Sequence, residues 1–503
     1  MARTLPRRTP LLGRIPYRPW VLALALALAV LAGAAPPLLS LGVVVGAVAL
    51  FVLLKWPVWG AYALVLSVPV QQTVRLPGGV TFTQLLFVLV LGIWFAWMSI
   101  RGDRRLMLTP IVVTLVFFLT ATLPSLWGTA SLPESLAEVA RWSVTILSYV
   151  VIINSVQTRR QMNGLIVVML IAGMSESILG LVQAYTGIGP ESFGTEGGIL
   201  RAYGTIGAPN SFAGYINMSV PLALALSFYF WGRWAAERKA AHVLDRPSFV
   251  TWERLRAPIL MSGVFMVLFW TMVTTLSRGA WVGLALGVLV MVFALGRRAS
   301  GAIALIVAGA AALVLLAAVN ALPPAVSERF EQLVTQIAVF DPRGVTPNPD
   351  NYALVERMVH WQVAGNMFLE SPWTGVGIGN FNTLFNTYGV QGWIYPRGHA
   401  HNYYLHLLAE VGVVGFLGYM SMLVTSFVVG FRALARVRRI GDTYGEAVVI
   451  GALGILTTFA AHNFFENLHA LNMGIHWAAA LSLFTLAWLR SPGTTPTDER
   501  SSA

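Results

Sequence analysis

The chain has 503 residues, 56% of them hydrophobic and only 11% charged, with a formal net charge of +12 and no cysteine. A soluble domain devotes roughly a quarter of its residues to charge, so this composition excludes that class and indicates a polytopic membrane protein. The missing cysteine excludes disulfides and thiolate metal sites, and whether the positive charge means nucleic acid or topology depends on where it lies.

Residues 1–19 form a basic arm with Arg3, Arg7, Arg8, Arg14 and Arg18, followed by an apolar run from Trp20 to Ala35 that reads as an uncleaved first span. Apolar runs then recur at Leu38 to Leu54, Trp56 to Val70, Phe82 to Ile100, Pro110 to Trp127, Val139 to Asn154, Leu165 to Tyr185, Phe212 to Trp231, Pro258 to Thr275, Trp281 to Leu295 and Ala302 to Asn320. After a long polar interval they resume at Tyr403 to Phe431, Ala447 to Ala461 and Leu471 to Leu489. Crossing a bilayer takes about 20 helical residues, and shorter runs tilt, merge or re-enter. The expected fold is therefore an all-α polytopic membrane protein of twelve to fourteen transmembrane helices, divided between residues 20–320 and 403–490. The interval 321–402 is too long for a connector and is expected to be a large helical extracytoplasmic loop that carries function. The Pro/Thr/Ser-rich tail, 491–503, has the composition of a disordered cytoplasmic segment. The basic inner loop from Trp231 to Arg256 suits an interfacial segment or a plain linker.

Basic residues test these spans, because they gather in cytoplasmic loops. With the N-terminus inside, twenty-five of the 33 lysines and arginines fall in inner segments. The eight left outside, all arginine, are Arg75, Arg141, Arg201, Arg278, Arg329, Arg343, Arg357 and Arg397. The net charge is thus a topology signal, no nucleic-acid partner is needed, and the lipid bilayer is the partner it implies.

Orientation disfavours outer arginines, so those beside helix ends require a reason. Arg278, in Thr275-Leu276-Ser277-Arg278-Gly279 between two spans with almost no loop, is costly unless it pairs or faces a wet cavity. Arg201 opens a Gly/Pro-punctuated loop ending at Asn210, where backbone N–H groups and a guanidinium can converge on an anion. Arg357 lies in Tyr352 to Phe368, where Leu354, Met358 and Trp361 with Val355, Val359 and Gln362 read as a lid helix with one apolar face; its partner would be Glu356, Glu370 or solvent. His399 and His401, two apart and ahead of a helix, need not share a face, which argues against a two-histidine metal clamp. No H-E-x-x-H, D-x-D or G-x-S-x-G occurs, so zinc hydrolysis, carboxylate-metal glycosyl transfer and serine hydrolysis lack their signatures. A neutral imidazole as general base near phosphate-binding arginines remains, alongside the plainer reading of a histidine capping the next helix.

These residues resemble a family. Glu356-Arg357, Trp361, Glu370 to Phe381, His399-Ala400-His401-Asn402-Tyr403-Tyr404-Leu405, Glu410-Val411-Gly412 and Gly415 are similar to the signature of the O-antigen ligase and polymerase superfamily. Thr275 to Gly279, and Arg201 with Gly204, Pro209 and Asn210, are similar to its other recurrent patches. The resemblance implies a metal-independent, GT-C-like, inverting glycosyltransferase of the bacterial inner membrane, with its N-terminus cytoplasmic and its active site periplasmic. It implies no cofactor, an undecaprenyl-diphosphate-linked glycan as donor, and lipid A core, a growing glycan or another hydroxyl such as a protein serine as acceptor. By position, His401 would be the base, Arg201, Arg278 and Arg357 would bind the diphosphate, and His399, Asn402, Asn210 and Glu410 would support them. A transporter of the same lipid-linked sugars is the rival of a different class; it would place its charges in broken, repeated helices near the midplane.

Overall fold

The structure is a computed structural model and describes residues 37–72, 80–101, 106–195, 198–243, 252–296, 299–319, 321–335, 339–348, 351–390 and 392–491. The basic arm, the first apolar run, Arg75, residues 244–251 and the tail from 492 lie outside these. The described residues are helical with no strand, as an all-α polytopic protein requires. In chain order the helices are α1 Pro37–Lys55, α2 Val58–Ser67, α3 Phe82–Arg101, α4 Pro110–Thr122, α5 Leu132–Ser155, α6 Arg159–Thr186, α7 Pro209–Asn217, α8 Val220–Val243 and α9 Trp252–Thr274. There follow α10 Arg278–Leu295, α11 Ala299–Ala318, α12 Pro324–Thr335, α13 Tyr352–Glu370, α14 Phe381–Leu384, α15 Tyr403–Arg439, α16 Thr443–His462 and α17 Met473–Leu489. Among the described residues eight helical segments are long and apolar enough to cross a membrane, and four shorter apolar helices accompany them.

Local chemistry sets the helix starts. Thr158 and Gln161 close a capping box on α6, Thr109 caps α4, Asp442 caps α16, and the Asn402 side chain accepts from Tyr404 and Leu405 N–H at the head of α15. Every residue of α17 from Met473 to Ala487 is buried, the expected place for a helix apolar on all sides. Lipid-facing positions such as Leu89, Phe95, Leu289 and Phe293 stay exposed.

Helix α10 packs tightly on α16, and the cause is legible in three glycines spaced by four. A methyl group at Gly279, Gly283 or Gly287 would meet Phe465 Cβ at 2.6 Å, the Thr458 carbonyl at 2.8 Å or the Gly454 carbonyl at 2.8 Å. Only hydrogen lets the backbones meet, the packing mode typical of helices in lipid. This contact fixes the first turn of α10 against the last turn of α16.

The segment 321–402 carries α12, α13 and α14. Val355, Val359, Val363, Met367, Phe381 and Phe385 give it a small core of its own, and the expected lid helix is α13. Its attachment depends on a break in α15. Gly412 has φ 60 and ψ −166, which frees the Ala409 and Glu410 carbonyls. Val376 and Gly377 N–H donate to them at 3.0 Å each, and Val413 and Val414 N–H donate back to Pro372 and Trp373 at 2.9 and 3.2 Å. The glycine-rich run after Trp373 is therefore a clasp onto a membrane helix. Asn380 fastens the other side, accepting from Ser131 N–H at 2.7 Å and donating to Thr129 and Ser135 hydroxyls at 2.8 Å.

Candidate active site at one end of the bundle

Mutual contacts bring to one end of the bundle the loop after α6, the α9–α10 turn, the 321–402 segment, the head of α15 and the α16–α17 turn. Arg201, Arg278, Arg357, His399 and His401, far apart in sequence, all lie in these pieces.

Arg201 is anchored twice, donating through Nε to the Thr275 carbonyl at 2.9 Å and through Nη2 to Asn210 Oδ1 at 2.8 Å. Its loop is held from within the bundle by Glu176, which accepts from the Thr205 N–H and hydroxyl at 2.9 Å, and by Gln183, which accepts from Gly204 N–H at 2.8 Å. Asn210 thus holds one end of the Arg201 guanidinium. Arg278 opens α10 two residues after Leu276, whose φ of 53 is left-handed, and donates to the Gln332 carbonyl on α12 at 3.2 Å. Phe330 packs on Trp281 with ring centres 4.7 Å apart, and Arg329 donates to Gln332 Oε1 at 2.7 Å. The short helix α12 therefore delivers a fourth arginine.

Arg357 makes no hydrogen bond or ion pair among the described residues; its neighbour Glu356 instead takes Arg397 at 3.1 Å. The arginines feel one another. Burial, then repulsion from Arg329 and Arg357, with Glu466 opposing and Arg278 adding, pulls Arg201 down to about 9. Burial also lowers Arg357, against the attraction of Glu466 and Glu356, and lowers Arg329, aided by Arg357. All remain cations at neutral pH, an excess of positive charge that invites a polyanion.

The histidines sit in strained backbone, with Arg397 at φ 46 and His401 at φ 49. Their spacing left open whether they share a face, and the rings lie 4.5 Å apart. His399 Nε2 contacts Glu466 Oε1 at 2.6 Å and its Nδ1 accepts the His401 backbone N–H at 3.0 Å. The His401 side chain keeps both ring nitrogens without a hydrogen bond; its Nδ1 stands 3.9 Å from Glu466 Oε2. Burial lowers the His401 imidazole, against the attraction of the Glu466 carboxylate. Burial alone would raise the Glu466 carboxyl, but His399 and His401 hold it well below the usual carboxylate range. His360, missed in the sequence, has Nδ1 2.7 Å from the Glu356 carbonyl and Nε2 3.1 Å from the Pro396 carbonyl, of which its neutral ring donates to one, and lies 5.2 Å ring to ring from His401; burial pushes it down to about 4.

His399, His401 and Glu466 have ligand atoms within 4.8 Å of one another, the one group among the described residues that could hold a metal ion. Both nitrogens of His399 are already engaged within the protein, so a cation would have to displace the 2.6 Å contact. Two supporting residues prove architectural: Asn402 is the cap of α15, and Glu410 accepts Gly379 and Phe381 N–H at 2.7 and 2.8 Å, bracing the clasp.

Residues 263–420 match the family described as O-Antigen ligase. The match holds Arg278, Arg329, Arg357, His399 and His401, and leaves out Arg201 and Glu466. No curated protein matches the chain.

Proposed function

We propose that this chain, whose residues 263–420 match the family described as O-Antigen ligase, is a membrane glycosyltransferase of the O-antigen ligase and polymerase superfamily that transfers a glycan from an undecaprenyl-diphosphate carrier to an acceptor hydroxyl, with inversion and without a metal. The reading is carried by one observation: a histidine with neither ring nitrogen in a hydrogen bond feels the charge of Arg357, which itself repels Arg201, Arg278 and Arg329 at the same end of the bundle. His401 accepts the acceptor proton as its oxygen attacks the anomeric carbon. The bond from that carbon to the phosphate oxygen breaks, and the diphosphate leaves with the electron pair, neutralised by Arg201, Arg278, Arg329 and Arg357. The positive-inside pattern supports an extracytoplasmic site in the inner membrane.

The test uses the purified chain in proteoliposomes with an undecaprenyl-diphosphate glycan and three acceptors in turn: lipid A core, a second lipid-linked glycan and a serine peptide. Stoichiometric appearance of glycosylated acceptor and free undecaprenyl diphosphate is expected with one of them. Movement of intact donor between leaflets with no transfer to any acceptor would instead identify a transporter and overturn the reading.

A further inference from the structure

We propose that Glu466, on the turn between α16 and α17, is the positioning residue of the general base, acting through His399. The inference rests on the reading of His401 as that base. Contact with the carboxylate at 2.6 Å assigns the proton of His399 to Nε2 and leaves the Nδ1 lone pair to accept the His401 backbone N–H at 3.0 Å. Two hydrogen bonds thus run from a buried carboxylate to the backbone of the base, whose left-handed φ of 49 is unfavourable for a residue with a Cβ and needs surrounding structure to enforce it. The same turn holds the other side of His401: Tyr403 N–H donates to the Asn463 carbonyl at 2.7 Å, and Asn463 Oδ1 accepts Leu468 N–H at 2.9 Å, closing the turn on itself.

This turn also touches the arginines. Gly279, next to Arg278, backs onto Phe465 so closely that an added methyl would lie 2.6 Å from its Cβ. One short segment therefore sets both the orientation of the base and its distance from the diphosphate-binding end of α10. Glu466 Oε2, 3.9 Å from His401 Nδ1, also faces the imidazolium that forms when Nε2 takes the acceptor proton. The carboxylate stays ionised throughout and transfers nothing; it steadies a charge that appears on its neighbour.

The experiment measures kcat and donor KM for the full chain in proteoliposomes, as wild type and as His401→Ala, Glu466→Ala, Glu466→Gln, His399→Ala and the Glu466→Ala/His399→Ala double variant. Loss of an orienting partner should lower kcat about 10- to 100-fold. Donor KM should stay near wild type, because the arginines are untouched. Glu466→Gln keeps an oxygen for His399 Nε2–H and should recover part of that loss. The double variant should be no slower than either single one, since the two residues act in series. If Glu466→Ala does not fold, Glu466→Gln carries the test: a lowered kcat at wild-type melting temperature supports the role, and an unchanged kcat overturns it. Additive losses in the double variant, or a Glu466→Ala protein with wild-type kcat beside an inactive His401→Ala, would overturn the inference and leave the reading standing. A His401→Ala protein that kept wild-type kcat would overturn both.

Discussion

Replacing Gly412 by alanine should release the 321–402 segment from the bundle. Its φ of 60 and ψ of −166 fall in a region essentially reserved for glycine, and holding alanine there costs about 1–3 kcal/mol. A Cβ would stand 2.5 Å from Thr374 N and closer still to the Trp373 carbonyl, all of it backbone that cannot rotate away. Relief requires opening the clasp, which forfeits the four backbone hydrogen bonds joining Pro372, Trp373, Val376 and Gly377 to α15, about 4 kcal/mol at about 1 kcal/mol each. An uninterrupted α15 would recover part of this, leaving a net cost of about 2–3 kcal/mol. Gly365, in α13 with open space around it, is the control, and alanine there should be neutral or stabilising by up to about 1 kcal/mol. Melting temperature in detergent and trypsin cleavage at the exposed Arg343 and Arg397 read the outcome. Gly412→Ala should melt earlier, be cut faster and transfer more slowly. Melting and cleavage indistinguishable from Gly365→Ala would refute the clasp.

Arg278→Ala and Arg357→Ala should each abolish transfer while the protein remains folded in the membrane, with lysine restoring only part because it lacks the bidentate fork; near wild-type turnover in either would remove it from the diphosphate site. Burial holds His401 below its ordinary value of about 6.5, so the midpoint of the fall in transfer with acidity should lie below that value; a midpoint above about 6.5 would contradict this. The same shift acts on stability. Below about 6.5 the unfolded chain binds protons that His401, and His360 at about 4, refuse when folded, so melting temperature should drop as pH falls through that range and not as it rises. Single cysteines at Ser327, Thr346 and Thr387 should react with an impermeant thiol reagent on spheroplasts, and one at Thr443 only after lysis; the reverse pattern would invert the orientation.

What the sequence disclosed depended on range. Apolar runs and the alternation of basic loops are local signals, and they gave the helical bundle, the long polar segment and the arginines worth attention. The apolar face of Tyr352 to Phe368 became α13 for the same reason. Glu466 stayed hidden because its contact with His399 needs two membrane helices to return to the same end; the available signal was an acidic residue in the polar turn Asn463-Phe464-Phe465-Glu466-Asn467. Arg329 stood among the outer arginines with nothing to distinguish it until α12 folded across Arg278. The spacing of His399 and His401 left their proximity open because a left-handed His401 puts rings together that an extended strand would separate. The four-residue glycine spacing along α10 was readable as a packing stripe, while the glycines after Trp373 reveal their use only against the break at Gly412.

The central claim is that His401 acts as a metal-free base. Its most direct test is transfer by reconstituted wild-type and His401→Ala protein, each with and without EDTA. Wild type should be indifferent to the chelator and His401→Ala slower by about 10²–10⁴-fold or more under both conditions. Wild-type turnover that EDTA abolishes and a divalent ion restores would contradict the account, and would make His399, His401 and Glu466 the ligands of a metal centre.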